Sequence, residues 1–221
     1  MSLIICPNCN KINKNDVEIY NIGLRKQNLE ISPIVPTCKI CGAEINFTDR
    51  CDGGNVVVLN GASGSGKSTV ATELWKKHGF YAIDGDCLIQ ALKHRLKVDK
   101  AEYNSDEMLE EIGREIDFLR LFTDKIVLAH IILAEDEVRY KQIFEMRGMK
   151  YKFILLNSDL ETLNARCQTR TCHAKPTPEF LIKYFRDRLD FSERDGVFVL
   201  DNATLSIDEA VEKVLEICNF E

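Results

Sequence analysis

Residues 61–68 read Gly61-Ala62-Ser63-Gly64-Ser65-Gly66-Lys67-Ser68, and no other run constrains the fold of this chain as tightly. The run matches the pattern G-x-x-x-x-G-K-[ST]. Its context matters more than the match: Val56-Val57-Val58-Leu59 precedes it as a strand, and Thr69 to His78 follows it as a helix. Glycines let the backbone curl so that successive N–H groups converge on an anion. The helix start adds its partial positive charge. Gly61, Ala62, Ser63, Gly64, Ser65, Gly66, Lys67, Ser68 and Thr69 are therefore the expected nucleotide-binding segment. In it Lys67 reaches the β- and γ-phosphates, and the Ser68 hydroxyl suits magnesium.

From Asn55 onward short apolar runs alternate with amphipathic stretches. Strands are expected at Val56–Leu59, Phe80–Ile83, Lys125–Ile132, Lys152–Leu156 and Val197–Leu200. Helices are expected at 67–78, 86–95, 105–122, 135–147, 159–169, 178–191 and 207–218. Leu109, Ile112, Ile116 and Leu119 recur at helical spacing. Ser158-x-x-Glu161 and Ser206-x-x-Glu209 read as capping boxes, and Thr177-Pro178-Glu179 as a third helix start. Alternation of this kind predicts an α/β three-layer sandwich around a five-stranded parallel sheet. Ligands then belong at the C-terminal ends of the strands.

Two parts of the chain differ in texture. Residues 1–54 are punctuated by cysteine and proline and end in the turn Asp52-Gly53-Gly54; residues 55–221 carry the α/β pattern. The 221 residues suit one domain and a small module, and 45% hydrophobic content supports a buried core. A formal charge of −6 argues against a protein that coats nucleic acid. The longest apolar run, Ile126 to Ala134, is broken by His130 and is too short to span a bilayer. Leu3-Ile4-Ile5 is likewise too short for a secretory leader, so a cytoplasmic location is expected.

An acidic pair follows the second expected strand, in Ile83-Asp84-Gly85-Asp86-Cys87-Leu88. Two carboxylates at a strand end beside a phosphate loop can divide labour, one on the metal's water shell and one on an acceptor hydroxyl. The strand Ile126–Ile132 does not end in the aspartate that many ATPases place there.

The loop Gly61–Ser68, the Asp84-Gly85-Asp86 motif and the later arginines resemble the small-molecule kinases related to shikimate kinase, gluconate kinase and adenylylsulfate kinase. The Asp-Gly-Asp-x-Leu form is most similar to the latter two. The resemblance covers residues 55–221 and implies ATP and magnesium as cofactors. It also implies that, in Arg166-Cys167-Gln168-Thr169-Arg170, Arg166 packs on the adenine and Arg170 closes over the phosphoryl group. Lys67, Asp86 and Arg170 become the expected catalytic residues, and Asp84 a magnesium-side contact. His173 falls near the place of a lid histidine in gluconate kinase, and Asp201-Asn202-Ala203-Thr204 near the adenine loop. Arg114, Arg120, Arg186 and Arg188 are candidates for an anionic acceptor group, Arg186 foremost by its likeness to a substrate-binding arginine of shikimate kinase.

Cys6-Pro7-Asn8-Cys9 and Cys38-Lys39-Ile40-Cys41-Gly42 form two C-x-x-C knuckles. Four thiolates in two such pairs suit one tetrahedral structural zinc, in a ribbon with strands at Ile19–Leu24 and Leu29–Ile31. The gap between the pairs exceeds the about 15–20 residues of the common pattern. Acidic and basic residues balance within this module, which gives it no nucleic-acid bias. Cys51 is an extra thiol there, and Cys167, Cys172 and His173 are read as ordinary lid residues.

The expected activity is ATP- and magnesium-dependent transfer of a phosphoryl group to a hydroxyl of a small molecule. Two alternatives stand beside it: a polynucleotide 5′-end kinase, and a nucleotide-sensing regulator whose ribbon binds a partner.

Overall fold

A computed structural model describes residues 54–99, 105–120, 123–169 and 175–219, the turn at 41–42, and the backbone of 4–5 and 12–13. Cys6, Cys9, Cys38, Cys51, Arg170, Cys172 and His173 lie outside the described residues, as do the ribbon strands expected at 19–24 and 29–31. Near the N-terminus β1 (Ile4–Ile5) pairs antiparallel with β2 (Ile12–Asn13), so the two strands bracket the first C-x-x-C in the sequence. Cys41 is exposed in a turn before Gly42.

The rest of the chain runs β3 (Asn55–Asn60), α1 (Lys67–His78), β4 (Tyr81–Asp84), α2 (Gly85–Leu96), α3 (Asp106–Leu119), β5 (Lys125–Ala129), a 3-10 turn (Ala134–Asp136) and α4 (Glu137–Glu145). Then come β6 (Lys150–Leu156), α5 (Leu160–Thr169), α6 (Pro178–Ser192), β7 (Val197–Leu200) and α7 (Ile207–Ile217). Five strands form one parallel sheet in the order β4-β5-β3-β6-β7.

The strand at the centre shows why a continuous apolar run was needed. Val56 to Leu59 are each 0% exposed, because helices cover both faces of the sheet. Side chains alternate between faces. Val56 and Val58 join Ile126, Leu128, Phe153 and Leu155 in a core capped by α2, α3, α4 and Phe191 of α6. Val57 and Leu59 join Val127, Ala129, Ile154 and Leu156 under Val70, Ala71 and Leu74 of α1 and Ala210, Val211 and Val214 of α7. Full burial of each such side chain contributes about 1.5–3 kcal/mol. The result is the three-layer sandwich.

Two expectations need correction. The third expected strand reaches Ile132, but β5 stops at Ala129. Beyond it the Asn60 side chain takes over the pairing: its Nδ2 donates to Ile132 O at 2.8 Å, and its Oδ1 accepts from Ile132 N at 3.0 Å and from Gly61 N at 2.7 Å. The ladder is replaced where β3 bends into the glycine-rich loop. The second correction concerns Ser158, which is not a helix cap. Asp159 caps α5, accepting from Thr162 N at 2.8 Å, and Ser158 is 1% exposed with other partners. The capping box at Ser206 and the Thr177 cap are present as expected.

Candidate functional site

At the C-terminal ends of β3, β4 and β5 the loops enclose a cleft of about 330 Å³. Its floor is the loop between β3 and α1. Gly61 and Gly64 turn with φ of +140° and +85°. A Cβ on Gly61 would stand 2.6 Å from Leu156 O, and one on Gly64 would stand 2.7 Å from Leu163 O. No larger residue fits either position. Lys67 arches over the loop, its Nζ donating to Gly61 O at 2.7 Å and Ala62 O at 3.1 Å. That places a positive charge in a hollow already faced by the start of α1, whose N-cap Gly66 offers no side-chain acceptor to its N–H groups. Such a site attracts phosphate.

Asp84 ends β4 and caps α2, its Oδ1 accepting from Asp86 N at 2.9 Å and Cys87 N at 3.2 Å. Asp84 and Asp86 both line the cleft beside the phosphate loop. His130, the first residue after β5, also lines it and is 2% exposed. Burial, helped by the nearby Lys67 charge and opposed by Asp84, depresses the His130 pKa to about 3. The imidazole is therefore neutral at physiological pH. Gly85 lies close against this ring: a Cβ there would come within 2.0 Å of His130 Nδ1.

The lining of the cleft also includes the apolar residues Val70, Leu205, Ile207 and Ala210. Arg166 lines the same cleft. It donates to Ser158 Oγ at 3.0 Å, Asn202 O at 3.0 Å and Ala203 O at 3.1 Å. Bonds made in the guanidinium plane leave its faces open to stacking. Asn202, 4% exposed, sends Nδ2 to Ser65 O at 2.7 Å and accepts from Ser158 Oγ at 2.9 Å.

Among the residues expected from sequence, Ser63, Gly64, Gly66, Lys67, Ser68, Thr69, Asp84, Asp86 and Arg166 line one cleft. Ala62 and Ser65 are buried within the loop, and Gly61 forms its first turn. The acceptor arginines fare differently. Arg186 is exposed on α6, in a shallow groove with Ile182 and Lys183 that the cleft does not include. Arg114 pairs with Glu110 and Glu111 on the surface. Arg120 lies beside Arg147 and Asp117, in another surface depression. Arg188 stacks on Phe185 at 3.9 Å and donates to Asn157, just past β6. Cys167 is buried against the loop at Gly64 and Cys218 in the core; burial pushes the Cys218 thiol up to about 12.

Sequence reasoning overlooked Asn60, His130 and the link that Ser158 makes between Arg166 and Asn202. Asn60, His130 and Ser158 are each a polar residue at the C-terminal end of an apolar strand, as is Asn202, and that position is itself the signal.

Among the described residues no cluster of three or more His, Cys, Asp or Glu side chains is placed to hold a metal ion, and no helix is long and apolar enough to cross a membrane. The fold is similar to that of a gluconokinase from Sinorhizobium meliloti 1021, at 22% identity over 77% of this chain and 93% of that one, with a TM-score of 0.54. It is also similar to the tunicamycin resistance protein of Deinococcus radiodurans (15% identity, 76% and 97% covered, TM-score 0.55) and to shikimate kinase from Bacteroides thetaiotaomicron (17%, 75% and 98%, 0.52). No curated protein sequence matches the chain significantly. A family model described as an AAA domain matches residues 56–192, which span β3 through α6. The chain belongs to this AAA domain family.

Proposed function

We propose that the protein is a phosphotransferase that uses ATP and magnesium to phosphorylate a hydroxyl of a small molecule. One observation carries this reading: the phosphate cradle and the Asp84–Asp86 pair open into the same cleft. A nucleotide with its phosphates on the loop has its base end against Arg166 and the apolar wall, so the terminal phosphate faces the two carboxylates. The kinases named above share this fold and lend the reading support. Magnesium fits the donor set, since the Ser68 hydroxyl and, through its water shell, the Asp84 carboxylate suit the oxygen ligands it takes. Bound with the nucleotide, it would neutralise charge on the β- and γ-phosphates.

In this reading Lys67 leaves its carbonyl partners for phosphate oxygens, and Asp86 orients or deprotonates the acceptor hydroxyl. Asp84, with Oδ1 engaged in the cap, holds the water shell of the metal. Arg166 packs on the base, and Arg170 neutralises the transferring group. An ATP-consumption screen over sugar acids, polyols, nucleosides, antibiotics and oligonucleotide 5′ ends tests it. Stimulation by a small hydroxyl compound is the expected result. Stimulation by oligonucleotide ends alone, or slow hydrolysis indifferent to every acceptor, would reject it in favour of an end kinase or a nucleotide sensor.

Spacing alone supports the second part of the proposal, that Cys6, Cys9, Cys38 and Cys41 hold one structural zinc. Metal analysis of the purified chain should find one zinc ion, lost when Cys6 and Cys9 are replaced by serine. Metal-free protein would remove the zinc.

A further inference from the structure

Three loops and helix α5 are joined beside the cleft by a directed chain of hydrogen bonds. Arg166 on α5 donates to Ser158 after β6; Ser158 donates to Asn202 after β7; Asn202 donates to the Ser65 carbonyl in the phosphate loop. The direction is forced. A backbone carbonyl only accepts, so the amide nitrogen of Asn202 must face Ser65. Its oxygen then faces Ser158, whose hydroxyl proton goes to Asn202 while its lone pairs take the arginine N–H. Ser65, Ser158 and Asn202 are 0%, 1% and 4% exposed, so water cannot substitute for a lost partner.

The bond to Ser65 has a geometric consequence. In a trans peptide the C=O and the following N–H point in opposite directions, and no cis bond occurs among the described residues. Holding the Ser65 carbonyl toward Asn202 turns the Gly66 N–H the opposite way, away from Asn202. Gly66 lines the cleft and starts α1. The Ser65 N–H is already spent on Ala62 O at 3.1 Å within the loop. The peptide between Ser65 and Gly66 is thus aimed from outside the loop, by a side chain on the base-side segment.

We propose that Asn202 is a positioning residue that presets the Gly66 N–H for phosphate and thereby couples the base end of the site to its phosphate end. The proposal rests on the nucleotide-binding reading above. Arg166 belongs to the same device: it clamps Asn202 O and Ala203 O, so a base stacked on its guanidinium tightens the segment that aims the loop. Sequence gives no hint of this, because Ser65 and Asn202 are 137 positions apart.

Two substitutions separate this from plain structural support. Asn202→Asp keeps the acceptor for Ser158 but sets an oxygen against the Ser65 carbonyl; Asn202→Ala removes both bonds. Titration calorimetry of magnesium-ATP and of magnesium-tripolyphosphate, which has no base, is read beside thermal melting and the Gly66 amide signal in ligand-free protein. Both variants should weaken both ligands by a similar factor, about tenfold or more, and should move the Gly66 amide resonance or speed its exchange. Unchanged tripolyphosphate affinity overturns the proposal, whether ATP affinity falls or not. So does a lowered melting temperature with both affinities intact. If the unaltered protein binds neither ligand, the nucleotide reading falls. The Gly66 signal then decides the coupling by itself: one that does not move in either variant overturns it.

Discussion

The imidazole of His130 fills the space that a side chain on Gly85 would need. A Cβ at residue 85 would sit 2.0 Å from His130 Nδ1 and 2.6 Å from its Cγ. Gly85 does not have a positive φ, so glycine stands there for room and not for backbone freedom. The Asp84-Gly85-Asp86 motif passes a buried ring at its glycine.

Gly85→Ala should therefore destabilise the fold by about 1–3 kcal/mol, the cost of overpacking a close-packed site, and should disturb both acids. His130→Ala vacates the space, so Gly85→Ala made in that background should cost far less. The coupling in the double-mutant cycle should lie between about 0.5 and 3 kcal/mol. Denaturant unfolding of the four proteins measures it. Additive costs would show that the two residues do not compete for this volume.

His130 also makes stability depend on pH. Its folded pKa is about 3, lowered from 6.5 chiefly by burial, with Lys67 adding to the shift and Asp84 opposing it. Below 6.5 the unfolded chain takes up a proton that the folded chain refuses. Stability should thus fall as pH drops from 6.5 toward 3, by up to about 1.4 kcal/mol per pH unit from this group. His130→Asn lacks that proton uptake, so its stability profile should be flatter over this window. Parallel profiles would mean that His130 is protonated equally in both states.

The fold was legible because its signals are local. Val56–Leu59 reads as a buried strand, the loop from Gly61 to Ser68 announces itself by spacing, and the caps at Thr177 and Ser206 follow from residue type. What escaped was long-range. Asn60 ends the pairing of β5 through its side chain, 72 positions from Ile132. Ser158 carries the same residues as a capping box, yet its hydroxyl is drawn to Asn202, 44 positions away, and Asp159 takes the cap. Arg186 looked like a ligand only by likeness to a relative, and its place on the exposed face of α6 depends on packing that no spacing reveals.

Asp84 and Asp86 should separate on neutralisation. Asn is as good a helix cap as Asp, so Asp84→Asn keeps the bonds to Asp86 N and Cys87 N and removes only charge. Its melting temperature should stay near that of the unaltered protein while the magnesium concentration needed for half-maximal turnover rises. Asp86→Asn should lower kcat by about 10²–10⁴-fold with nucleotide affinity retained. If both variants merely weaken ATP binding, and to the same extent, the division of roles is wrong.

Lys67 bears most directly on the central claim. Its Nζ rests on Gly61 O and Ala62 O, while the core under α1 is built from Val70, Ala71 and Leu74, so Lys67→Ala should leave the fold standing. The decisive measurement is acceptor-stimulated ATP consumption by the unaltered protein and by Lys67→Ala, with melting curves confirming that both are folded. The account predicts turnover that requires a small hydroxyl acceptor and falls by about 10²-fold or more in the variant. Turnover in Lys67→Ala close to that of the unaltered protein would contradict it.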